Sequence, residues 1–396
     1  MASFKMKTPD CQRFSGYKPC IPYKTCYESC SYPDKPFGTR ILIINLDAMG
    51  DVLMTTAQLE PIKRKYPDSY IAWLTLESAV PLLQENPLID EVFVWDPEDW
   101  LILQGLKFDL ILNADKSRRS GALTMKLKAK EKLGFGMNEL GHIIPLNKEA
   151  EYNYRLGLDD YMKFRVNQRT GQDILSETFK LSYERDEYVL NLTEDEKALT
   201  VAYRKSLGIR DDEVVVGFNT GCSNLFPNKK LSLGQHADLV EKFSGIGSIK
   251  MLLLGGREDT ERNEQIYSDA VAANPQLLTR LFKTPTTGGI RKGIVYENAA
   301  DIVITGDSYG MHLAIALKKI VLVWFGVSCP AEIDLYDRGT KFIPEDLFCS
   351  PCWKKTCPYD LECMKMVDLD KMFSVALQYA GQITSKKRSS EKATIV

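Results

Sequence analysis

The feature that most constrains this chain is a repeated pattern. Short strands, apolar on both faces, run into helical segments. Arg40 to Leu46 (RILIINL) is a continuous β-type run, after which Val52, Thr56, Leu59 and Tyr66 recur at helical spacing. Pro61 inside that helix predicts a kink or an early stop. Strand-like segments follow at residues 70–76, 92–95 and 108–113. From Val214 the grammar repeats. VVVGFN is a strand, Ser232 and Gln235 form a capping box opening a helix through Phe243, and residues 251–254 are a strand ending in Gly255-Gly256. Residues 301–305 and 320–325 are two more strands with a helix at 311–317 between them. A strand buried on both faces needs helices on both sides of its sheet. The chain is therefore expected to be α/β, with two doubly wound parallel sheets. Its 396 residues agree, because single cores usually stop growing near about 250–300 residues.

Composition narrows the class. Lys and Arg number 51 against 53 Asp and Glu, for a net charge of −2. That balance argues against a nucleic-acid partner. No apolar run approaches the ~18 residues of a membrane helix, and the N-terminus lacks the apolar stretch of a secretory signal. The expectation is a cytoplasmic protein. Ten cysteines are then an anomaly, since a reducing cytosol gives them no disulfide role.

Most of the candidate chemistry lies where strands end. Asp47-Ala48-Met49-Gly50-Asp51 follows the first strand, where open α/β sheets bind ligands. Gly50 allows close approach of another group's backbone at this candidate acceptor site, and Asp51 is either a catalytic acid or a complement to the helix dipole. Asn113-Ala114-Asp115 ends another strand and opens a basic segment: Lys116, Arg118, Arg119, Lys126, Lys128, Lys130 and Lys132. That patch suits an anionic acceptor or a membrane surface, which would make the protein peripheral to a membrane; a solvated helix face explains it equally well. Thr220 lies in a Gly loop ahead of Lys229 and Lys230, beside a helix N-terminus, a combination that suits a phosphate. Asp307, Ser308, Gly310 and His312 sit between a strand and a helix, where backbone N–H groups can cradle a diphosphate or a capping turn can form. A lone inward His there is more often structural than catalytic.

Eight of the ten cysteines form two clusters. Cys349-x2-Cys352-x4-Cys357-x5-Cys363 has the density of a tetrahedral zinc or iron site. Cys11, Cys20, Cys26 and Cys30 form a looser set.

Together these motifs resemble glycosyltransferase family 9, the heptosyltransferase family. The resemblance rests on ILIINLDAMGDVLMTTAQLEPIKRKYP and on the stretch from ADIVITGDSYGMHLAIALKKIVLVWFG to CSPCWKKTCPYDLECM, and covers roughly Arg40 to Tyr379. It implies a GT-B fold: two Rossmann-like domains facing across a cleft, with a C-terminal helix crossing back. The expected division is a Cys-rich arm at 1–36, an acceptor domain at 37–195, a nucleotide-sugar domain with the Cys loop at 196–368, the crossing helix at 369–384 and a disordered tail at 385–396. The implied reaction is inverting, metal-independent transfer of a sugar, typically from ADP-heptose, to a lipopolysaccharide-core or other glycan acceptor, or to a protein.

By the resemblance, Asp51 matches the family's general base and Asp115 an acid close to the reacting sugar. Lys229 or Lys230 matches a phosphate-binding Lys. Asp307, Ser308 and His312 match the donor loop, and Glu258 and Asp259 lie where an acid meets the ribose. Tyr309 stands where the family has Gly, and Leu231 where it has Trp. Two other classes draw on the same residues: a thiol or iron–sulfur redox protein on a nucleotide scaffold, and a non-catalytic nucleotide-sugar binder.

Overall fold

A computed structural model describes residues 9–14, 16–22, 25–26 and 36–394. Strands β1 (Arg40–Ile44), β2 (Tyr70–Thr75), β3 (Glu91–Val94), β4 (Lys107–Asn113), β5 (Lys128–Met137) and β6 (Ile143–Pro145) form one sheet, ordered β3-β2-β1-β4-β5-β6. Only the β5–β6 pair is antiparallel. Strands β7 (Val214–Asn219), β8 (Ile249–Leu254), β9 (Leu281–Lys283), β10 (Ile302–Gly306), β11 (Ile320–Trp324) and β12 (Gly339–Phe342) form a second sheet, ordered β12-β11-β10-β7-β8-β9 and parallel throughout.

This is the doubly wound α/β architecture expected from strands apolar on both faces. β2 and β7 are buried at every position. In each sheet the winding direction reverses once, between β1 and β4 and between β7 and β10. Those are the switch points where such sheets open a crevice at the carboxyl ends of their strands.

The helix after β1 breaks where a proline demands it. Helical residues Met49–Thr55 give way to a 3₁₀ turn, Thr56–Gln58, before Leu59–Lys65 resumes. The Pro61 ring crowds the carbonyl four residues back, at Ala57, and its nitrogen offers no hydrogen bond. One apolar cluster runs through both halves. It joins Ile41, Ile43 and Trp73 of the first sheet to Val215, Leu252 and Met311 of the second.

Three expectations need correction. The basic segment is not one helix face: Arg118–Lys126 is helical, but Lys128, Lys130 and Lys132 lie on β5. The last helix runs Leu369–Thr394, through the segment expected to be disordered. It does not cross back to the first sheet, since its buried residues Met372, Ala376 and Ala380 join the core of the second sheet. Among the described residues no helix is long and apolar enough to cross a membrane.

Candidate active site

The first switch point gathers carboxylates. Asp51 sits in the first turn of the Met49–Thr55 helix, exposed, with Oδ2 accepting from the Ala48 N–H at 3.1 Å. Asp115 follows β4 and is only 7% exposed. Its Oδ1 accepts from Asn45 Nδ2 at 2.7 Å and its Oδ2 from the Leu46 N–H at 2.8 Å. Burial pushes the Asp115 carboxyl up to about 7, despite those two donors, and the negative charges of Asp47 and Asp51 add to the rise.

The expected acceptor cations are largely engaged by the protein itself. Arg119 pairs with Asp47 at 2.7 Å. Lys116 is exposed as a residue, but its Nζ donates to Asn153 O at 2.6 Å and lies 5.1 Å from the centre of the Phe135 ring. Desolvation and the nearby Lys163 push its pKa down to about 8. Arg118 is exposed and lies against Gly141.

Gly50 does meet a close neighbour, but that neighbour is the protein. A Cβ there would stand 2.5 Å from His312 Cδ2. His312 is buried at the start of the Tyr309–Ala316 helix and shares a hydrogen bond between Nδ1 and Tyr188 Oη at 3.1 Å. Burial lowers its pKa, against the pull of Asp307 and Asp51. His312 thus sits at the seam between the halves, against Gly50 and Tyr188.

The second switch point supplies the cation. Lys229 Nζ lies 2.7 Å from Asp307 Oδ2, each side chain 13% exposed. Burial alone would raise the Asp307 carboxyl, but Lys229 and His312 outweigh it and hold it below the ordinary range. Lys230 is 3.8 Å from Asp259 Oδ1.

Several expected donor contacts turn out to be internal. Asp259 is buried, its Oδ2 accepts from the Gly256 N–H at 3.0 Å, and a Cβ on Gly221 would lie 2.1 Å from its Oδ1. It is tied to its own loop, while Glu258 in the same turn is exposed. Thr220 donates its hydroxyl to Asn263 Oδ1 inside the core. Asn219 donates to the Ser308 hydroxyl at 2.9 Å, and a Cβ on Gly310 would stand 2.0 Å from Asn219 Nδ2. Gly310 therefore admits Asn219.

Asn45, Tyr188 and Asn219 were missed by the sequence reading. A polar residue at the end of an apolar strand is the signal that would have found Asn45 and Asn219.

The four C-terminal cysteines come to one place. Cys349, Cys352, Cys357 and Cys363 line a single cavity of about 260 Å³, all as free thiols. Yet no three His, Cys, Asp or Glu side chains converge as a metal-ligand group among the described residues. The same holds for Cys11, Cys20 and Cys26, while Cys30 lies outside the described residues.

Comparison with known proteins agrees with this architecture. The family model of glycosyltransferase family 9 (heptosyltransferase) matches residues 101–362, well over half the chain. The chain is similar to lipopolysaccharide heptosyltransferase 1 of Campylobacter coli, 24% identical over 309 residues, which cover 73% of this chain and 84% of that protein. Its fold matches E. coli ADP-heptose lipopolysaccharide heptosyltransferase II with a TM-score of 0.64 and 16% identity, over 87% of this chain and 99% of that one. It also matches the dodecameric iron-containing heptosyltransferase TibC of enterotoxigenic E. coli, solved with ADP-D-beta-D-heptose. There the TM-score is 0.52 and identity 10%, over 88% of this chain and 77% of that one. Two facing doubly wound sheets, acids at one switch point, a lysine at the other and this match together establish that the chain belongs to glycosyltransferase family 9 and is a glycosyltransferase.

Proposed function

We propose that the enzyme transfers a heptose, with inversion, from ADP-heptose to a sugar hydroxyl of the lipopolysaccharide core. The observation that carries this reading is the opposition of the two switch points across the Gly50–His312 contact. Asp51 and Asp115 stand on one side, and the Lys229–Asp307 pair stands on the other.

The chemistry follows from the residues. The acceptor oxygen attacks the anomeric carbon, and a new C–O bond forms as the bond to the β-phosphate oxygen breaks. The hydroxyl proton passes to a carboxylate, and the electron pair leaves with ADP. Asp51 is the better base, because it is exposed at the helix start while both Asp115 oxygens are occupied inside. Such a base contributes roughly 10²–10⁴-fold. Lys229 meets the charge growing on the leaving diphosphate, together with backbone N–H groups at the start of the Tyr309–Ala316 helix. Glu258 is the acid available to the ribose.

The test is product mass spectrometry with ADP-, GDP- and UDP-sugars on a heptose-deficient lipopolysaccharide acceptor. Transfer from ADP-heptose alone is expected. Transfer from another donor, or none, overturns the assignment.

The four thiols facing one cavity suit a thiophilic ion, zinc or iron, as a structural clip outside the sugar chemistry. The iron in TibC makes iron the first candidate. Metal analysis of purified protein should find about one ion per chain, lost in Cys352→Ser. A metal-free protein that folds normally removes the clip. A brown protein with no transferase activity favours the redox alternative.

A further inference from the structure

The cysteine loop reaches the candidate phosphate lysine directly. Trp353, between Cys352 and Cys357, packs against Phe226 with ring centroids 4.9 Å apart and the ring planes tilted by 46°. Lys229 Nζ lies 4.9 Å from the centre of the Trp353 ring and 5.3 Å from that of Phe226. A second cation, Lys163 of the segment before Gly171, lies 5.2 Å from the same Trp353 ring.

The loop is anchored at its backbone. The Cys352 and Trp353 N–H groups both donate to Val327 O, at 3.1 and 2.8 Å. Asn228 Nδ2 donates to Lys354 O at 2.7 Å, so the cysteine loop is also tied to the residue next to Lys229. Trp353 has φ of 50°, a conformation a bulky residue keeps only when its surroundings hold it there. Nevertheless 46% of the residue is exposed. A large ring held in an unfavourable backbone conformation and left half in solvent is not there to fill a core.

Its contacts suggest its purpose. Asp307 neutralises Lys229 but competes with any phosphate for the same ammonium. An aromatic face attracts a cation without bringing a negative charge. It can hold Nζ in place while the ammonium turns from Asp307 toward a diphosphate.

We propose that Trp353 is a positioning residue for the donor: its ring holds Lys229 at the diphosphate site and, through Lys163, couples that hold to the segment carried by the first half. The inference rests on the donor-site reading above and deepens it.

The test is calorimetric binding of ADP and of adenosine to the full chain. Trp353→Leu should raise the Kd for ADP roughly 5- to 30-fold, the range expected for losing a partly desolvated cation–π contact, and leave adenosine binding unchanged. Trp353→Phe should retain affinity within about threefold. In a Lys229→Met background, Trp353→Leu should add less than about twofold, because the two residues act as one unit.

Fluorinated tryptophan offers a version without a change of shape, should Trp353→Leu not fold. It should weaken ADP binding by the wild type but not by Trp353→Phe. Unchanged ADP binding in Trp353→Leu, equal losses for ADP and adenosine, or full additivity with Lys229→Met would overturn the inference while leaving the donor site standing. If the wild type binds none of ADP, GDP and UDP, the donor-site reading falls and takes the inference with it.

Discussion

Asp115 makes the sharpest demand on the structure. Its carboxyl lies inside the protein with its pKa lifted from 3.8 to about 7. Each pKa unit is about 1.36 kcal/mol, so the ionised form costs the fold about 4 kcal/mol relative to the unfolded chain. Between those two values the folded protein binds the proton that the unfolded chain has released. Stability from this group is therefore complete below pH 3.8 and is lost as pH rises through about 7. Between pH 5.5 and pH 8 the wild type should lose about 2 kcal/mol from this group.

Asp115→Asn cannot ionise. It carries a fixed penalty of about 1 kcal/mol, because its amide cannot accept from both Asn45 and Leu46, and that penalty does not vary with pH. The stability difference between variant and wild type should thus shift by about 2 kcal/mol in the variant's favour between pH 5.5 and pH 8. Urea unfolding followed by tryptophan fluorescence, to which the buried Trp73 contributes, measures it. A difference that stays constant over that range would show that Asp115 is already ionised at pH 5.5, and the burial argument would fail.

Two further outcomes follow from the same geometry. Asp51→Asn should lower kcat by roughly 10²–10⁴-fold while ADP binding by calorimetry stays near wild type, since the change removes the proposed base and leaves the opposite face intact. Gly50→Ala places a Cβ 2.5 Å from His312 Cδ2. It should cost roughly 1–3 kcal/mol in thermal unfolding and reduce turnover, because the seam between the halves must widen.

The fold was legible because a strand apolar on both faces leaves few architectures open. Capping and proline signals then located the Leu233–Ser244 helix and the break near Pro61. Motifs at strand ends were legible for the same reason, since Asp51, Asp115, Lys229 and Asp307 all lie beside switch points. Partners were not legible. The hydrogen bond from Asn45 to Asp115 spans 70 residues and exists only because β1 and β4 are neighbours. Gly310 and Asp259 looked like ligand contacts, yet one admits Asn219 and the other braces Gly221. Glycines and acids near a phosphate loop serve its backbone as often as its ligand, and spacing alone does not separate the two. The basic run after Asp115 failed for another reason: its charge pattern straddles a helix and a strand, so what reads as one patch is two surfaces.

The division of charge between the halves gives the arrangement its logic. An inverting transfer must collect a proton on one side of the sugar and a diphosphate charge on the other. Asp115, held near neutrality, lowers the local negative charge beside Asp51 compared with two fully ionised carboxylates. In the proposed reaction Asp51 takes the acceptor's proton, and Asp115 does not compete for it while its own carboxyl holds a proton. On the other face, Asp307 keeps Lys229 neutralised until a diphosphate replaces it, so the low-dielectric cleft holds no uncompensated ammonium before the donor arrives. Both devices depend on the cleft being narrow. Gly50 lies against His312 between the two charge centres, so a larger residue at position 50 is expected to push them apart.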